Sequence, residues 1–224
     1  MERGICPACE STGPVGGACS QKACMKLGYH HIPTSYFDKL GDGTLDPVIG
    51  RNVDEYLIVS RLGRGGFGSV YLALQQPINL ACALKLIHES MEGHPNAQPF
   101  LQKFRAEAEA LARLNHPNIV RLVRYGTFDW RPYMVMELVD GEPLRNLIHQ
   151  YQVEKSLVPR KVVEHIVEQL LNALGAAHAE RIVHRDIKPE NVLVQPTVGD
   201  PHFVRVVDFG LAKFVADGSR TSII

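Results

Sequence analysis

The sequence predicts an α+β protein in which a small cysteine-rich module is followed by antiparallel strands and then by helices. Four of the five cysteines lie within the first 24 residues, among glycines and other small residues. From Tyr56 onward, short β-branched and aromatic runs flank a glycine cluster, as in a β-hairpin. Between Pro159 and Arg181, apolar residues recur at helical spacing.

The composition is that of a globular protein that can bury a core. Of the 224 residues, 45% are hydrophobic, and 24 basic side chains balance 24 acidic ones. The formal net charge of zero argues against a nucleic-acid partner, and no apolar run is long enough to span a membrane. The N-terminus lacks the apolar stretch of a signal peptide, so we expect a cytoplasmic protein.

The N-terminal module, residues 1–33, contains four cysteines in the pattern C-x2-C-x9-C-x4-C: Cys6, Cys9, Cys19 and Cys24. This pattern predicts a structural zinc site of four thiolates, although the second pair is wider than usual and makes the pattern less specific. His30 or His31 could substitute for one cysteine. A redox pair and unligated thiols are the alternatives. Residues 34–54 mix glycine, aspartate, threonine and proline without periodicity, which indicates a linker.

Residues 55–224 form the main domain. Alternating and β-branched runs predict five strands at 56–59, 69–74, 81–87, 120–128 and 133–139. A helix is expected over 100–114, between the third and fourth strands, and a long helix is expected after Pro159. Two short strands follow at 191–194 and 203–207.

The first candidate site is the glycine hairpin, whose pattern is G-x-G-x-x-G-x-V: Gly63, Gly65, Gly68 and Val70. Glycines at this spacing let a backbone approach phosphates closely, although dinucleotide-binding folds and plain hairpins contain them too. A strand rather than a helix follows, which disfavours the dinucleotide fold. Lys85, on the next strand, is placed to reach the phosphates. Glu107 is its favoured carboxylate partner, and Glu109 is expected to be a solvated charge.

The second candidate site is a dense polar cluster between apolar strands, formed by Asp186, Lys188 and Asn191, and Asp208 follows seventeen residues later. Charges concentrated in this way are costly to bury without a ligand or metal. One carboxylate is suited to accept a proton from a hydroxyl nucleophile. The asparagine and the second aspartate offer the hard oxygen ligands that Mg²⁺ prefers.

With these motifs in this order, the sequence from Tyr56 onward resembles the eukaryotic-like, bacterial serine/threonine protein kinases. The resemblance implies a bilobal fold, with a five-stranded antiparallel N-lobe that carries one helix and the first part of a helical C-lobe. It implies ATP with Mg²⁺ or Mn²⁺ as cofactors. Lys85 and Glu107 match the strand lysine and its helix partner, Asp186 the catalytic base, and Asn191 and Asp208 the metal-binding pair. Lys188 matches the lysine of the Ser/Thr branch.

The resemblance also implies roles for residues whose types alone indicate only a core. Met136 is expected to be the gatekeeper at the back of the adenine pocket, and Glu137 and Val139 are expected to bind the ring through their backbone in the hinge that follows. The residues expected to contact the nucleotide through their side chains are Leu62, Val70, Ala83 and Leu193. His184 is expected in an internal column of side chains. Arg185 implies control by a phosphorylated activation segment, whose available acceptors are Ser219, Thr221 and Ser222.

The expected function is transfer of the γ-phosphoryl group of ATP to Ser/Thr hydroxyls of protein substrates. The alternative is a catalytically weak, nucleotide-binding adaptor fragment that acts by binding partners. The family's Ala-Pro-Glu motif does not occur after Asp208, so we expect an incomplete kinase domain that ends in the activation segment. Self-association is then expected through the exposed apolar stripe of the helix after Pro159 or through autophosphorylation.

Overall fold

The computed structural model describes residues 3–40, 46–65, 68–88 and 111–208, together with residues 102, 104, 105, 108 and 109. The chain divides into two compact units. The first consists of Met1–Met91 with Arg124–Leu138, and the second of Glu92–Val123 with Val139–Ile224. No helix among the described residues is long and apolar enough to cross a membrane.

The first unit begins with the cysteine module, which is built on a three-stranded antiparallel sheet of order β2-β1-β3. Its elements are β1 (Arg3–Ile5), β2 (Thr12–Pro14), helix α1 (Lys22–Lys26) and β3 (Ile32–Pro33). The short helix α2 (Thr34–Phe37) follows at once. These elements are too short to be stable alone, so the module depends on what it packs against and binds.

The main sheet of the first unit has six strands in the order β4-β5-β6-β7-β9-β8. They are β4 (Asn52–Val53), β5 (Tyr56–Arg64), β6 (Gly68–Gln75), β7 (Leu80–Ile87), β8 (Leu122–Phe128) and β9 (Arg131–Glu137). The five strands predicted from the sequence are all present, and pairs β5–β6, β6–β7 and β7–β9 are antiparallel. Strand β4 adds a sixth strand at the edge.

One hydrophobic core joins the cysteine module to this sheet. Ile32 of β3 is fully buried with Val53 and Tyr56, and Val48 and Ile49 belong to the same cluster. From α2 and the residues that follow it, Tyr36, Phe37 and Leu40 pack against the cluster. Helix α2 and strand β4 both lie within residues 34–54, the segment whose composition indicated a linker.

The second unit has its own core between a long helix and a small antiparallel sheet. Its elements are β10 (Glu142–Pro143), α3 (Leu144–Val153), α4 (Arg160–Ala179), a 3-10 turn (Pro189–Asn191), β11 (Val192–Thr197) and β12 (Asp200–Val206). Helix α4 begins after Pro159, as predicted, and buries Ile166, Gln169, Ala173 and Ala177 on one face. Helix α3 was not predicted. Between β7 and β8, residues 102, 104, 105, 108, 109 and 111 are helical, as expected for 100–114.

A buried amide pair connects the long helix to the sheet of the second unit. Asn118 Nδ2 donates to Gln169 Oε1 at 2.9 Å and to the Val204 carbonyl at 2.8 Å. Gln169 Oε1 also accepts the Val204 N–H at 2.9 Å, and its amide nitrogen donates to the His202 carbonyl at 3.0 Å. Because buried polar groups are costly unless they are paired, this network fixes α4 against β12 in one register.

Candidate active site

The glycine hairpin lies at the β5–β6 connection, where the pairing places Gly63 opposite Val70. The Gly65 N–H donates to the Gly68 carbonyl at 2.9 Å, and Gly66 and Phe67 between them lie outside the described residues. A Cβ at Gly68 would stand 2.5 Å from the carbonyl oxygen of Leu86, so packing itself requires glycine there. At Gly63 a Cβ would meet no described atom within 4 Å. Glycine at position 63 therefore leaves open space beside the hairpin.

The predicted nucleotide residues of the first unit share one face of the sheet. Lys85 pairs with Val70 on one side and with Met134 on the other, and Ala83 pairs with Met136. Directly opposed residues of antiparallel strands project to the same face. Cys82, Leu84 and Leu86, which alternate with these positions on β7, are buried in the core cluster. Lys85, Val70, Ala83 and Met136 are only partly buried, so these positions are not enclosed in the core.

The other residues assigned to the nucleotide site fall in both units. Leu62 lies on β5 with 53% of its surface exposed, and Glu137 ends β9 opposite Cys82. Val139 and Leu193 belong to the second unit, where Leu193 opposes Pro143 across the β10–β11 pair. Each is partly buried or exposed rather than enclosed in a core cluster.

The predicted carboxylate partner of Lys85, Glu107, lies outside the described residues, so that pairing stays a prediction. Glu109 is described, and its carboxylate is 3.0 Å from the guanidinium nitrogen of Arg105 in an exposed i,i+4 pair. Its side chain is 60% exposed, which agrees with the surface position expected for it.

In the second unit, three of the predicted site residues, Asp186, Lys188 and Asn191, form one hydrogen-bonded cluster in the segment between α4 and β11. Asp186 Oδ2 accepts from Lys188 Nζ at 2.8 Å and from Asn191 Nδ2 at 2.9 Å. Asn191 Nδ2 also donates to the Asp186 carbonyl at 2.9 Å. The cluster leaves the other carboxylate oxygen, Oδ1, without a hydrogen bond among the described residues. That oxygen is the one free to meet a substrate group.

His184 contacts this cluster through a hydrogen bond to Asp186, and only 1% of the His184 surface is exposed. Its Nε2 lies 2.9 Å from the Val207 carbonyl, and its Nδ1 accepts the Asp186 N–H at 3.3 Å. A carbonyl only accepts and a backbone N–H only donates, so the ring is neutral with its proton on Nε2. Burial lowers the pKa of His184, which favours the same neutral form. The sequence had suggested a packing role for His184 but not this bridge.

Asp208 is brought next to Asn191 by the β11–β12 pairing. The Val207 N–H donates to the Asn191 carbonyl at 3.0 Å, and Val192 opposes Val206. Asp208 has a φ of 57°, and Arg185, which precedes Asp186, has a φ of 64°. Non-glycine residues rarely adopt this left-handed conformation, and such positions concentrate at active sites. The fold therefore places Asp186, Asn191 and Asp208 together at the end of one small sheet.

Electrostatics keep Asp186 ionised. The hydrogen bond from Lys188 lowers the pKa of Asp186, and the amide of Asn191 lowers it further against the opposing effect of burial. In turn, the hydrogen bond to Asp186 raises the pKa of Lys188. At neutral pH the pair is an ammonium and a carboxylate. Asp186 is thus prepared to accept a hydrogen bond but is a weak base.

The four N-terminal cysteines converge, as their spacing predicted. All four sulfur atoms lie within 4.8 Å of one another, and Cys9 Sγ is 3.5 Å from Cys19 Sγ. None of them is in a disulfide. Four thiolates bound to one zinc ion at about 2.3 Å lie about 3.8 Å apart, so this donor set fits a tetrahedral metal ion. His31, by contrast, directs Nδ1 to the Gly17 carbonyl at 2.9 Å and is absent from the cluster.

Ser11 adds a contact to the cysteine cluster that the sequence analysis did not identify. Its hydroxyl lies 3.2 Å from the sulfur of Cys9 and 3.2 Å from that of Cys19. The hydrogen bond with Ser11 lowers the pKa of Cys9 to about 6, whereas burial raises the pKa of Cys24 to about 12. Burying several thiolates together is unfavourable without a cation, so a bound metal would stabilise the whole set. The only sequence signal for Ser11 is its position two residues after Cys9.

Residues 56–224, which contain the glycine hairpin and the Asp186 cluster, match a family model of the protein kinase domain. The chain therefore belongs to the protein kinase family. It is 39% identical over 168 residues to the serine/threonine-protein kinase Pkn1 of Myxococcus xanthus. It is 36% identical over 181 residues to PknL of Mycobacterium tuberculosis. Both relatives are bacterial serine/threonine kinases, as the resemblance implied.

Solved kinase structures share the fold. The PknI kinase domain of Mycobacterium tuberculosis superposes with a TM-score of 0.62 at 26% identity, over 80% of this chain and 71% of that one. The aligned regions cover 75% of this chain but 23% of Pkn1, and 80% of this chain but 43% of PknL. The chain thus spans less than half the length of these curated relatives.

Proposed function

We propose that the protein transfers the γ-phosphoryl group of ATP to serine and threonine hydroxyls of protein substrates. The observation that carries this proposal is the cluster of Asp186, Lys188 and Asn191, in which one carboxylate oxygen is held by two donors and the other is left for a substrate. Membership of the kinase family and the names of the relatives support it. Lys188 further supports serine and threonine as the acceptors.

Each residue in the proposed reaction has a role set by its chemistry. Asp186 Oδ1 accepts a hydrogen bond from the substrate hydroxyl and orients its oxygen, and its low pKa means that the proton arrives late in the transfer. Lys188 holds the carboxylate in place and offers positive charge beside the transferred group. The hairpin glycines and Lys85 hold the phosphates. Mg²⁺, which Asn191 and Asp208 would hold, neutralises phosphate charge when bound.

The adenine is proposed to lie on the partly buried sheet face formed by Val70, Ala83 and Met136. The resemblance to protein kinases is the basis on which Leu62 and Leu193 are retained as further nucleotide residues. The backbone groups of Glu137 and Val139 are proposed to hydrogen-bond to the ring. We retain Glu107 as the carboxylate that positions Lys85. The cytoplasmic location inferred from the sequence also stays a prediction.

Phosphate incorporation by matched aspartate variants tests this proposal. The purified protein should transfer labelled phosphate from ATP to a mixed Ser/Thr peptide library or to itself. Asp186→Asn should reduce the rate at least 100-fold, the lower end for general acid–base catalysis. Asp38→Asn is the control, because Asp38 is an exposed residue that ends α2. Equal rates for Asp186→Asn and the unmodified protein would contradict the proposal.

We also propose that the cysteine module, residues 1–33, binds one structural zinc ion through Cys6, Cys9, Cys19 and Cys24. Their mutual sulfur distances and the absence of disulfides support it. Four soft thiolates without an open position are typical of structural rather than catalytic zinc. The Ser11 hydroxyl lies 3.2 Å from two of the sulfurs and would stabilise thiolate charge by donating its one hydrogen to either of them.

Metal analysis tests the zinc site directly. The purified protein should contain one zinc ion per chain, and Cys6→Ser should retain far less. Cys82→Ala is the matched control, because Cys82 is buried in β7 and donates to the Ala73 carbonyl, outside the cluster. Protein that is folded and metal-free after purification without chelators would contradict the site.

A further inference from the structure

The segment 46–50, which precedes the kinase domain, is built into the first unit on two sides. The Gly50 N–H donates to the Ile58 carbonyl of β5 at 2.8 Å, and the Gly50 carbonyl accepts the His30 N–H at 2.6 Å. Val48 and Ile49 are each 4% exposed and belong to the core cluster. The segment is therefore fixed both to the cysteine module and to the main sheet.

Asp46, the first residue of this segment, makes three hydrogen bonds with its carboxylate. Oδ1 accepts the Val48 N–H at 3.1 Å, which holds the side chain in a local turn. Oδ2 accepts from Arg61 Nη1 at 3.0 Å and from the Tyr71 hydroxyl at 3.0 Å. The Asp46 side chain is 12% exposed and that of Arg61 is 44% exposed, so the bond to the Tyr71 hydroxyl is better shielded from solvent than the bond to Arg61.

The two donors to Oδ2 lie at the base of the glycine hairpin. Arg61 of β5 opposes Tyr71 of β6, two residues before Gly63 and one residue after Val70. The β5–β6 register shifts between Arg61 and Gly63, so the regular ladder of hydrogen bonds is interrupted there. The Asp46 carboxylate bridges the two strands where their own ladder is irregular.

From this arrangement we propose that Asp46 is a positioning residue for the nucleotide-binding hairpin: it fixes the base of β5 and β6 and so positions Gly63 and Gly68 for phosphate binding. The proposal rests on the proposed function, since it assumes that the hairpin binds the phosphates of ATP. Asp46 lies outside residues 56–224, the part that matches the kinase family model. The positioning group therefore comes from the N-terminal extension.

The bridge has a specific energetic consequence. A hairpin already held in its binding orientation loses less conformational freedom when phosphates bind. Breaking the bridge should therefore weaken the binding of ATP more than that of adenosine, which lacks phosphates. We expect the dissociation constant of ATP to rise about fivefold to tenfold, equivalent to about 1–1.4 kcal/mol. The dissociation constant of adenosine should change less than about twofold, since that corresponds to only about 0.4 kcal/mol.

Two variants and one control separate this role from a general loss of stability. Asp46→Asn keeps an oxygen for the Val48 N–H but removes the charge that faces Arg61. Tyr71→Phe keeps the buried ring and removes only the hydroxyl, so it tests the same bridge even if Asp46→Asn folds poorly. Asp38→Asn makes the same chemical change at an exposed position of the N-terminal extension.

Calorimetric titration of each metal-loaded protein with ATP and with adenosine gives the result. The proposal predicts weaker ATP binding for Asp46→Asn and Tyr71→Phe, nearly unchanged adenosine binding, and wild-type behaviour for Asp38→Asn. The double variant should bind ATP about as weakly as the weaker single variant, because both changes break one bridge. With saturating ATP, kcat should stay near the wild-type value while the KM for ATP rises.

Two outcomes would overturn the positioning role. Wild-type ATP affinity in both Asp46→Asn and Tyr71→Phe would show that the bridge does not hold the hairpin. Equal weakening of ATP and adenosine would show a general structural effect instead. A wild-type protein that binds neither ligand would instead overturn the proposed kinase function itself, and with it this inference.

Discussion

The substitution Gly→Ala should lower thermal stability at Gly68 but not at Gly63, the two outer glycines of the hairpin. At Gly68 the new Cβ would stand 2.5 Å from the Leu86 carbonyl oxygen and 3.2 Å from its carbon, both backbone atoms of the paired strand. Relief requires β6 to move away from β7, and such overpacking costs about 1–3 kcal/mol. At Gly63 no described atom lies within 4 Å of the new Cβ, so no such cost arises.

Thermal unfolding without nucleotide measures the difference. For a chain of this size each 1 kcal/mol shifts Tm by about 2–4 °C, so Gly68→Ala should lower Tm by about 2–12 °C. Gly63→Ala should leave Tm unchanged or slightly raised, because alanine restricts the unfolded chain more than glycine does. Its added methyl should nevertheless weaken ATP binding, since the open space beside Gly63 is assigned to the ligand. Equal loss of Tm in the two variants would refute this reasoning.

Three further predictions follow from the described contacts. Asn118→Leu should lower the free energy of unfolding by about 1–3 kcal/mol, measured in urea, because it leaves buried groups around Gln169 unpaired. Removing metal with a strong chelator should lower Tm, and added zinc should restore it, because the module shares the core of the first unit. Lys188→Met should raise the pKa of Asp186, measured by carbon NMR titration of the carboxyl group, because Lys188 lowers that pKa.

Each of these three predictions has its own contradicting result. Asn115→Leu is the exposed control for Asn118→Leu and should change the free energy of unfolding by less than about 0.5 kcal/mol. An equal effect of both variants would count against the buried network. An unchanged Tm after chelation would show that the bound metal does not stabilise the first unit. An unchanged or lowered pKa of Asp186 in Lys188→Met would contradict the assigned electrostatics.

The strands and the long helix were predictable because their apolar patterns are local. The alternation in β7 distinguishes the buried Leu84 and Leu86 from the partly buried Ala83 and Lys85. Pro159 fixes the start of the long helix, since proline is favoured at a helix N-terminus. The polar cluster around Asp186 was predictable for the same reason, because its members lie within six residues of one another.

Contacts between residues distant in sequence could not be predicted in this way. Helix α2 and strand β4 are too short to show a period, and they are stabilised by burial against the main sheet. The bridge from Asp46 joins residues 15 and 25 positions away, so nothing near Asp46 signals it. His184 lies two residues before Asp186 in the sequence, but its hydrogen bond to the Val207 carbonyl forms only when β12 has folded against β11.

The most direct test of the central claim is identification of the product by mass spectrometry after incubation with Mg²⁺ and ATP. The account predicts phosphoserine or phosphothreonine on the protein or on a peptide substrate. It also predicts that Asp208→Asn abolishes this modification, while Asp38→Asn does not. The same phosphate incorporation in Asp208→Asn as in the unmodified protein would contradict the assignment of this site as the centre of phosphoryl transfer.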